Sequence, residues 1–119
     1  MDSSVTLEIP AETHYLRLVR LAAVDVGARA GLSVDETDDL RIAVDELCYA
    51  LLGGAERIVV DYRLESDAVR IEGRSDGADV KPPNELARAI LGAVVDECEF
   101  SSRDGCPTFR ARKRVPVRI

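Results

Sequence analysis

The most regular stretch of the sequence is a helical pattern in residues 33–54. Its apolar residues recur every three or four positions and form one continuous stripe. They are Leu40, Val44, Leu47 and Leu51. Ser33 and Glu36 stand before the stripe as an S-x-x-E capping box, in which each side chain satisfies a backbone N–H group. The pattern predicts a helix that begins after Ser33 and ends at Gly53-Gly54.

A second helical pattern lies upstream, in residues 11–30. Its apolar residues are Tyr15, Leu18, Val19, Ala22 and Val26. Gly31 follows at the position where a helix end favours a left-handed residue. Only a short connection separates the two patterns, so we expect the two helices to pack antiparallel.

The remaining apolar positions predict five strands and a third helix. Val5, Leu7 and Ile9 alternate with polar residues, and Pro10 ends this short strand. Residues 57–64 and 68–74 alternate around a Glu-Ser-Asp turn. Residues 98–102 and 108–115 alternate around the turn RDGCP. Between these hairpins, residues 84–97 have helical spacing. The positions predicted to face inward there are Leu86, Ile90, Ala93 and Val94.

The order of these elements, β-α-α-β-β-α-β-β, predicts an α+β protein. Each strand has one apolar face and each helix one apolar stripe, which favours a sheet covered on a single side. We expect a two-layer α/β sandwich, with a five-stranded, mostly antiparallel sheet and three helices on one face. Residues 1–119 are expected to form a single domain.

Composition narrows the class of protein. The 119 residues carry a formal net charge of −6, which argues against a dedicated nucleic-acid binder. No apolar run approaches the roughly 20 residues that a membrane span requires. Three cysteines and one histidine fit neither a disulfide framework nor a zinc site, so we predict no metal site and expect a cytoplasmic protein with reduced thiols.

Basic side chains are concentrated near the C-terminus. Residues 101–119 hold six of them against one acidic residue. They are Arg103, Arg110, Arg112, Lys113, Arg114 and Arg118. We interpret them as the solvated face of a last strand, with a docking patch for an acidic partner as the alternative.

The element order, together with "DDLRIAVDELC" and "AILGAVVDECEF", resembles the anti-sigma regulatory factors. These are small bacterial serine/threonine protein kinases of the GHKL (histidine-kinase-like) ATPase class. The resemblance covers nearly the whole chain and implies the histidine-kinase-like ATPase fold. It also implies regulation of transcription, with a sigma factor or an antagonist protein as partner, and homodimer formation.

In that family the second helix carries a catalytic acid and, four residues later, an asparagine that helps to hold Mg²⁺. The resemblance places Glu46 at the acid and Ala50 at the asparagine. A methyl group cannot coordinate a hard cation, and phosphoryl transfer depends on a cation that neutralises the phosphate oxygens. We therefore expect no bound cofactor, and ATP with Mg²⁺ only if the site is functional.

The family's second motif, D-x-G-x-G, is similarly altered. Ser75 stands where the adenine-binding aspartate is expected, Gly77 is kept, and Asp79 replaces the second glycine. A shift by one residue would let Asp76 bind adenine, but both glycine positions would then fail. The segment from Asp79 to Asn84 is too short and proline-rich to resemble the glycine-rich lid of the family.

Three hypotheses of function follow. The first is an anti-sigma-factor-like regulator that acts by protein–protein contact and has a degenerate nucleotide site. An acidic helical surface would speed its association with a basic sigma factor. The residues suggested for that surface are Glu36, Asp38, Asp39 and Asp45.

The second hypothesis is an ATP-dependent serine/threonine protein kinase, with Glu46 as base and with Asp76 and Gly77 in contact with adenine. The third is a sensor or adaptor that binds another small ligand in the vacant nucleotide cleft. That cleft would be an apolar cavity lined by Ala50 and Gly73.

Overall fold

The computed structural model describes residues 3–78 and 81–117. The strands are β1 (Ser3–Pro10), β2 (Arg57–Leu64), β3 (Ala68–Ser75), β4 (Glu97–Arg103) and β5 (Cys106–Arg114). The helices are α1 (Leu16–Ala30), α2 (Val34–Ala50) and α3 (Glu85–Val94), and a short 3-10 turn (Thr13–Tyr15) precedes α1. Within the described ranges, no helix is both long enough and apolar enough to cross a membrane.

The five strands form one sheet in the order β1-β2-β3-β5-β4. Every neighbouring pair is antiparallel. The α+β architecture, with three helices and a five-stranded antiparallel sheet, is therefore confirmed. Within the sheet, Gly73 of β3 lies between Val60 of β2 and Phe109 of β5.

The core lies between the sheet and the paired helices α1 and α2. The four residues of the predicted stripe, three in α2 and Leu51 directly after it, are fully buried, which confirms the stripe. Tyr62, on β2, is also fully buried, and its hydroxyl donates a 2.8 Å hydrogen bond to the backbone oxygen of Val19. Burial raises the pKa of this hydroxyl, because the charged form would lose its hydration. The bond fixes α1 on the sheet.

The ends of α1 and α2 follow the predicted local signals. Gly31 adopts the left-handed conformation, with φ of 93°. The Ser33 hydroxyl accepts a hydrogen bond from the Glu36 amide at 3.1 Å, and the Ser33 amide donates to the Glu36 carboxylate at 2.7 Å. The capping box is thus confirmed. Helix α2 ends at Ala50, three residues before the glycine pair.

The predicted start of α1 at residue 11 is wrong, because residue 11 still bonds to the residue that precedes β2. The amide of Ala11 donates to the backbone oxygen of Glu56 at 2.9 Å. The helix then begins at Leu16, and its buried side follows Leu16 and Val19. Leu18 is two residues from Leu16, about 200° around the helix, and is 47% exposed.

The predicted inward face of α3 is only partly correct, since Val94 packs against the core but Leu86 and Ala93 do not. Leu91 is its buried residue, whereas Leu86 is 71% exposed and Ala93 is exposed. Ile90 and Val94 are half-buried. The helix ends at Val94, because the amide of Asp96 already bonds to the backbone oxygen of Arg112. Helix α3 therefore lies at the edge of the core and leaves much of its apolar face uncovered.

Only some of the basic residues near the C-terminus belong to a solvated face. Arg110 is exposed, but Arg112 forms an ion pair with Asp67 at 3.2 Å. Lys113 lies opposite the buried Val69 and reaches into the molecule. Cys106 and Pro107, predicted in the turn, belong to β5, and Arg118 lies outside the described residues.

Candidate functional site

A cavity of about 760 Å³ lies between α2, α3 and the segment that precedes α3. Helix α2 contributes Glu46, Tyr49 and Ala50, and α3 contributes Leu86, Ala87 and Ile90. The segment of residues 81–84 forms a further wall. Asn84 ends that segment and caps α3, since its side-chain oxygen accepts from the amide of Ala87 at 2.8 Å. We call this cavity the α2–α3 cleft.

Glu46 and Ala50 lie one helical turn apart, and both line the α2–α3 cleft. Within residues 3–78 and 81–117, the Glu46 carboxylate has neither a hydrogen bond nor an ion pair. Its neighbour Asp45 differs, because it pairs with Arg20 at 2.6 Å. Glu46 is thus an acid at a cavity wall that forms no ion pair with any side chain in the described part of the chain.

The cleft does not fit a magnesium ion. At position 50 the wall presents a methyl group, which offers no oxygen to a hard cation. Throughout the described part of the chain, no cluster of three or more His, Cys, Asp or Glu side chains could hold a metal ion.

Ser75 does not line the α2–α3 cleft. It is buried at the end of β3, and its hydroxyl donates to the backbone oxygen of Leu51 at 2.9 Å. The same hydroxyl accepts from the amide of Gly77 at 3.2 Å. This serine therefore joins the end of β3 to the end of α2, and both hydrogen bonds hold it away from any ligand.

Asp76 is also outside the walls of the cleft. Its carboxylate accepts hydrogen bonds from the amides of Glu56 at 2.9 Å and Arg57 at 3.4 Å. The bond from the Glu56 amide is the main cause that lowers the pKa of Asp76, because it stabilises the charged form. The side chain connects the loop after β3 to the start of β2.

Replacing Asp76 by alanine is expected to lower the midpoint of thermal unfolding at pH 7, because two amides lose their acceptor. A lowered pKa means that the carboxylate stabilises the fold above its ordinary value of 3.8 and loses this effect as the pH falls. The difference from the parent protein should therefore shrink below about pH 4. Scanning calorimetry at pH 7 and pH 3.5 measures it, with the exposed Glu99→Gln as control. A difference that does not change with pH would contradict this role.

Gly73 and Gly77 are not in the cleft either, which corrects the expectation of a cavity shared by Ala50 and Gly73. The ring of Phe109 lies against Gly73 and fills the space that a side chain would occupy. Gly77 is buried beside Ser75. Asp79, the predicted replacement of the second glycine, lies outside the described residues.

The structure adds cleft residues that the sequence pattern missed. Tyr49 and Leu86 are 65% and 71% exposed, although both are large and apolar. Lys81 lines the cleft from the segment before α3. The sequence does contain a signal for Tyr49, since it is an apolar residue outside the stripe of α2. One sequence, however, does not distinguish a cavity wall from a solvated surface.

No family model matches the chain. The anti-sigma-F factor RsbW of Mycobacterium tuberculosis is 32% identical to it over 101 residues, which are 81% of this chain and 60% of that protein. The serine-protein kinase RsbW of Listeria innocua is 31% identical over 83 residues, or 65% of this chain and 53% of that protein.

A third relative, the serine-protein kinase RsbW of Bacillus velezensis, is 43% identical over 44 residues, which are 37% of this chain and 28% of that protein. The chain thus spans about 60% or less of the length of these relatives. These relatives carry names of both kinds, anti-sigma factor and serine-protein kinase. The chain belongs to the family of anti-sigma regulatory factors and serine-protein kinases.

Proposed function

We propose that this protein is an anti-sigma-factor-like regulator of transcription that acts in the cytoplasm by protein–protein binding. Its partner is a sigma factor or an antagonist of such a regulator. The observation that supports this most directly is the 32% identity with an anti-sigma-F factor over 81% of the chain. The mechanism is sequestration: the protein covers surface that the sigma factor needs for RNA polymerase, and no covalent bond is made or broken.

The acidic surface suggested for the partner needs a correction. Asp38, Asp39 and Asp45 have intramolecular partners, which are Arg41, Lys113 and Arg20. Glu36 is used in the capping box. A basic partner would have to displace these contacts, so the net charge of −6 contributes to association mainly through long-range attraction.

ATP is not proposed as a cofactor of this regulator. A kinase site must hold the metal ion and bind adenine. At the metal position, Ala50 provides no ligand. Ser75 and Asp76, the two candidates for the adenine contact, are both engaged in hydrogen bonds within the protein. The alternative function, an ATP-dependent serine/threonine protein kinase, is favoured by one feature, the free Glu46 carboxylate in the cleft.

Titration calorimetry with ATP and Mg²⁺ distinguishes the two functions. We expect a dissociation constant weaker than about 100 μM, which corresponds to roughly −5.5 kcal/mol. The Ala50→Asn variant, which restores a carboxamide, should remain weak because the adenine contacts are still missing. Tighter binding by the parent protein, with phosphate transfer to a serine of the bound antagonist, would establish the kinase instead.

Partner capture from the native cell tests the regulator directly. The tagged protein should retain a sigma factor or an antagonist, identified by mass spectrometry and confirmed with purified components. The same partner should be retained with and without ATP. Recovery of neither class, or a partner that changes with ATP, would contradict the proposal.

We also propose that the regulator is a homodimer, as the resemblance implies. Leu18 and Leu21 are three residues apart on one exposed side of α1, and both are about half exposed. Association would remove this apolar surface from water. Sedimentation equilibrium of the parent protein and of a Leu18→Glu, Leu21→Glu variant measures the state, and a parent protein that sediments as a monomer would refute it.

A further inference from the structure

We propose that the α2–α3 cleft is a binding site for a small organic cation, an amine attached to an apolar body. Such a ligand is defined by its positive charge and its apolar body, and it differs from a nucleotide in both charge and shape. The proposal does not depend on the regulatory function, because it concerns a cavity and not the surface that meets a protein partner.

The size of the cleft fits a ligand of this kind. Its volume is about 760 Å³, within the range of roughly 300–1,000 Å³ that is usual for small-molecule sites. Two other cavities, one beside Cys98 and one beside Pro107, are about half as large, at 390 Å³ each. Its walls come from Thr13, from residues 46–53 and from residues 81–90, which are distant from one another along the chain.

The walls of the cleft favour an apolar body. Tyr49 on α2 and Leu86 on α3 face it with most of their surface exposed to water. The Ala50 methyl group, Ile90 and the two prolines before α3 add further apolar surface. Each apolar group that covers these side chains would remove water from both surfaces, which favours the complex.

Glu46 provides the specificity for a cation. It is half-buried, and no described residue forms a hydrogen bond or an ion pair with it. An ammonium group would form a charge-assisted hydrogen bond with this carboxylate. Tyr49 lies three residues further along α2, so its ring is on the same side of the helix, where an aromatic face attracts a cation.

The same arrangement disfavours a polyphosphate. Among the described residues that line the cleft, Lys81 is the one basic residue, and it is exposed. A triphosphate would meet one ammonium group and, on α2, the negative charge of Glu46. A ligand with a single positive charge can bind Glu46 while its apolar part covers Tyr49 and Leu86.

Three matched probes test the charge preference: 2-naphthylmethylamine, the neutral 2-naphthylmethanol and the anionic 2-naphthoate. They share one apolar body and differ in the polar group. Binding is measured by calorimetry and by shifts of amide signals in NMR spectra. We expect the amine to bind about tenfold tighter than the alcohol, with the largest shifts in α2 and α3. Equal binding of the three probes, or stronger binding of the naphthoate, would overturn the proposal.

Two variants and a control assign the effect to the cleft. Glu46→Gln should lower the affinity for the amine to that for the alcohol, whereas Leu86→Ala should lower the affinity for both the amine and the alcohol. Glu72→Gln, on the opposite face of the sheet, should leave both unchanged, and circular dichroism verifies that each variant is folded. Unchanged amine preference in Glu46→Gln would overturn the proposal and leave the regulator hypothesis unaffected, because no protein partner is used.

Discussion

Replacing Gly73 by alanine is expected to lower the free energy of unfolding by about 1–3 kcal/mol, the usual cost of an overpacked core. A Cβ atom on Gly73 would lie 2.6 Å from Cζ and 2.9 Å from Cδ2 of Phe109. Phe109 is only 3% exposed, so its ring cannot move into solvent. Without the ring, the same change would be favourable by about 0.5–1 kcal/mol, because glycine weakens a strand. The sign of the change, measured by urea denaturation, therefore tests the contact.

A matched glycine and a second substitution make this test specific. A Cβ atom added to Gly92, on the exposed side of α3, would have no neighbouring atom within 4 Å, so Gly92→Ala should stabilise the protein by up to about 1 kcal/mol. In a Phe109→Leu background, Gly73→Ala should cost less than in the parent protein. A neutral or stabilising Gly73→Ala would refute the packing.

Replacing Lys113 by methionine is expected to destabilise the protein by about 1–3 kcal/mol. The Lys113 ammonium group donates to the backbone oxygen of Val94 at 2.8 Å and to the Asp39 carboxylate at 3.2 Å. Its side chain is 13% exposed, so water replaces these bonds only in part. Methionine keeps the length and the apolar stem but leaves both oxygens without this donor.

The loss should be greatest at α3, because Lys113 connects that helix to β5 and α2. Hydrogen exchange should show faster exchange of α3 amides in Lys113→Met, while β2 and β3 keep their protection. Arg110→Met is the control, since Arg110 is an exposed basic residue of the same strand and its loss should change stability by less than about 0.5 kcal/mol. Equal effects of the two changes would contradict the structural role of Lys113.

The buried residues were predicted better for α2 than for α3, because more elements of the structure cover α2. Helix α2 packs against α1, α3 and the sheet, so its apolar stripe and its buried side coincide. Helix α3 contacts mainly α2 and β4, and Leu86 remains outside the core although its spacing is helical. Amphipathic spacing predicts which side is apolar, but not whether another element covers it.

Only part of the candidate site could be predicted, because sequence spacing relates residues of one helix but not residues from distant parts of the chain. Glu46 and Ala50 share a helical turn, so their common wall followed from sequence spacing alone. Gly73, Ser75 and Asp76 follow each other along β3 and its loop, and their neighbours come from distant parts of the chain. They contact Phe109, Leu51 and the amides at the start of β2. Those contacts decide that these three residues hold the fold together outside the cleft.

The sequence by itself determined what depends on neighbours along the chain: the strands, the capping box at Ser33, the left-handed Gly31 and the methyl group at position 50. These features follow from backbone geometry within a few residues. The tertiary structure alone decided which distant groups meet, including Asp76 with the amides of Glu56 and Arg57, and Lys113 with Asp39. Such contacts depend on the register of the sheet and on where each helix lies across it, and hydrophobic periodicity specifies neither.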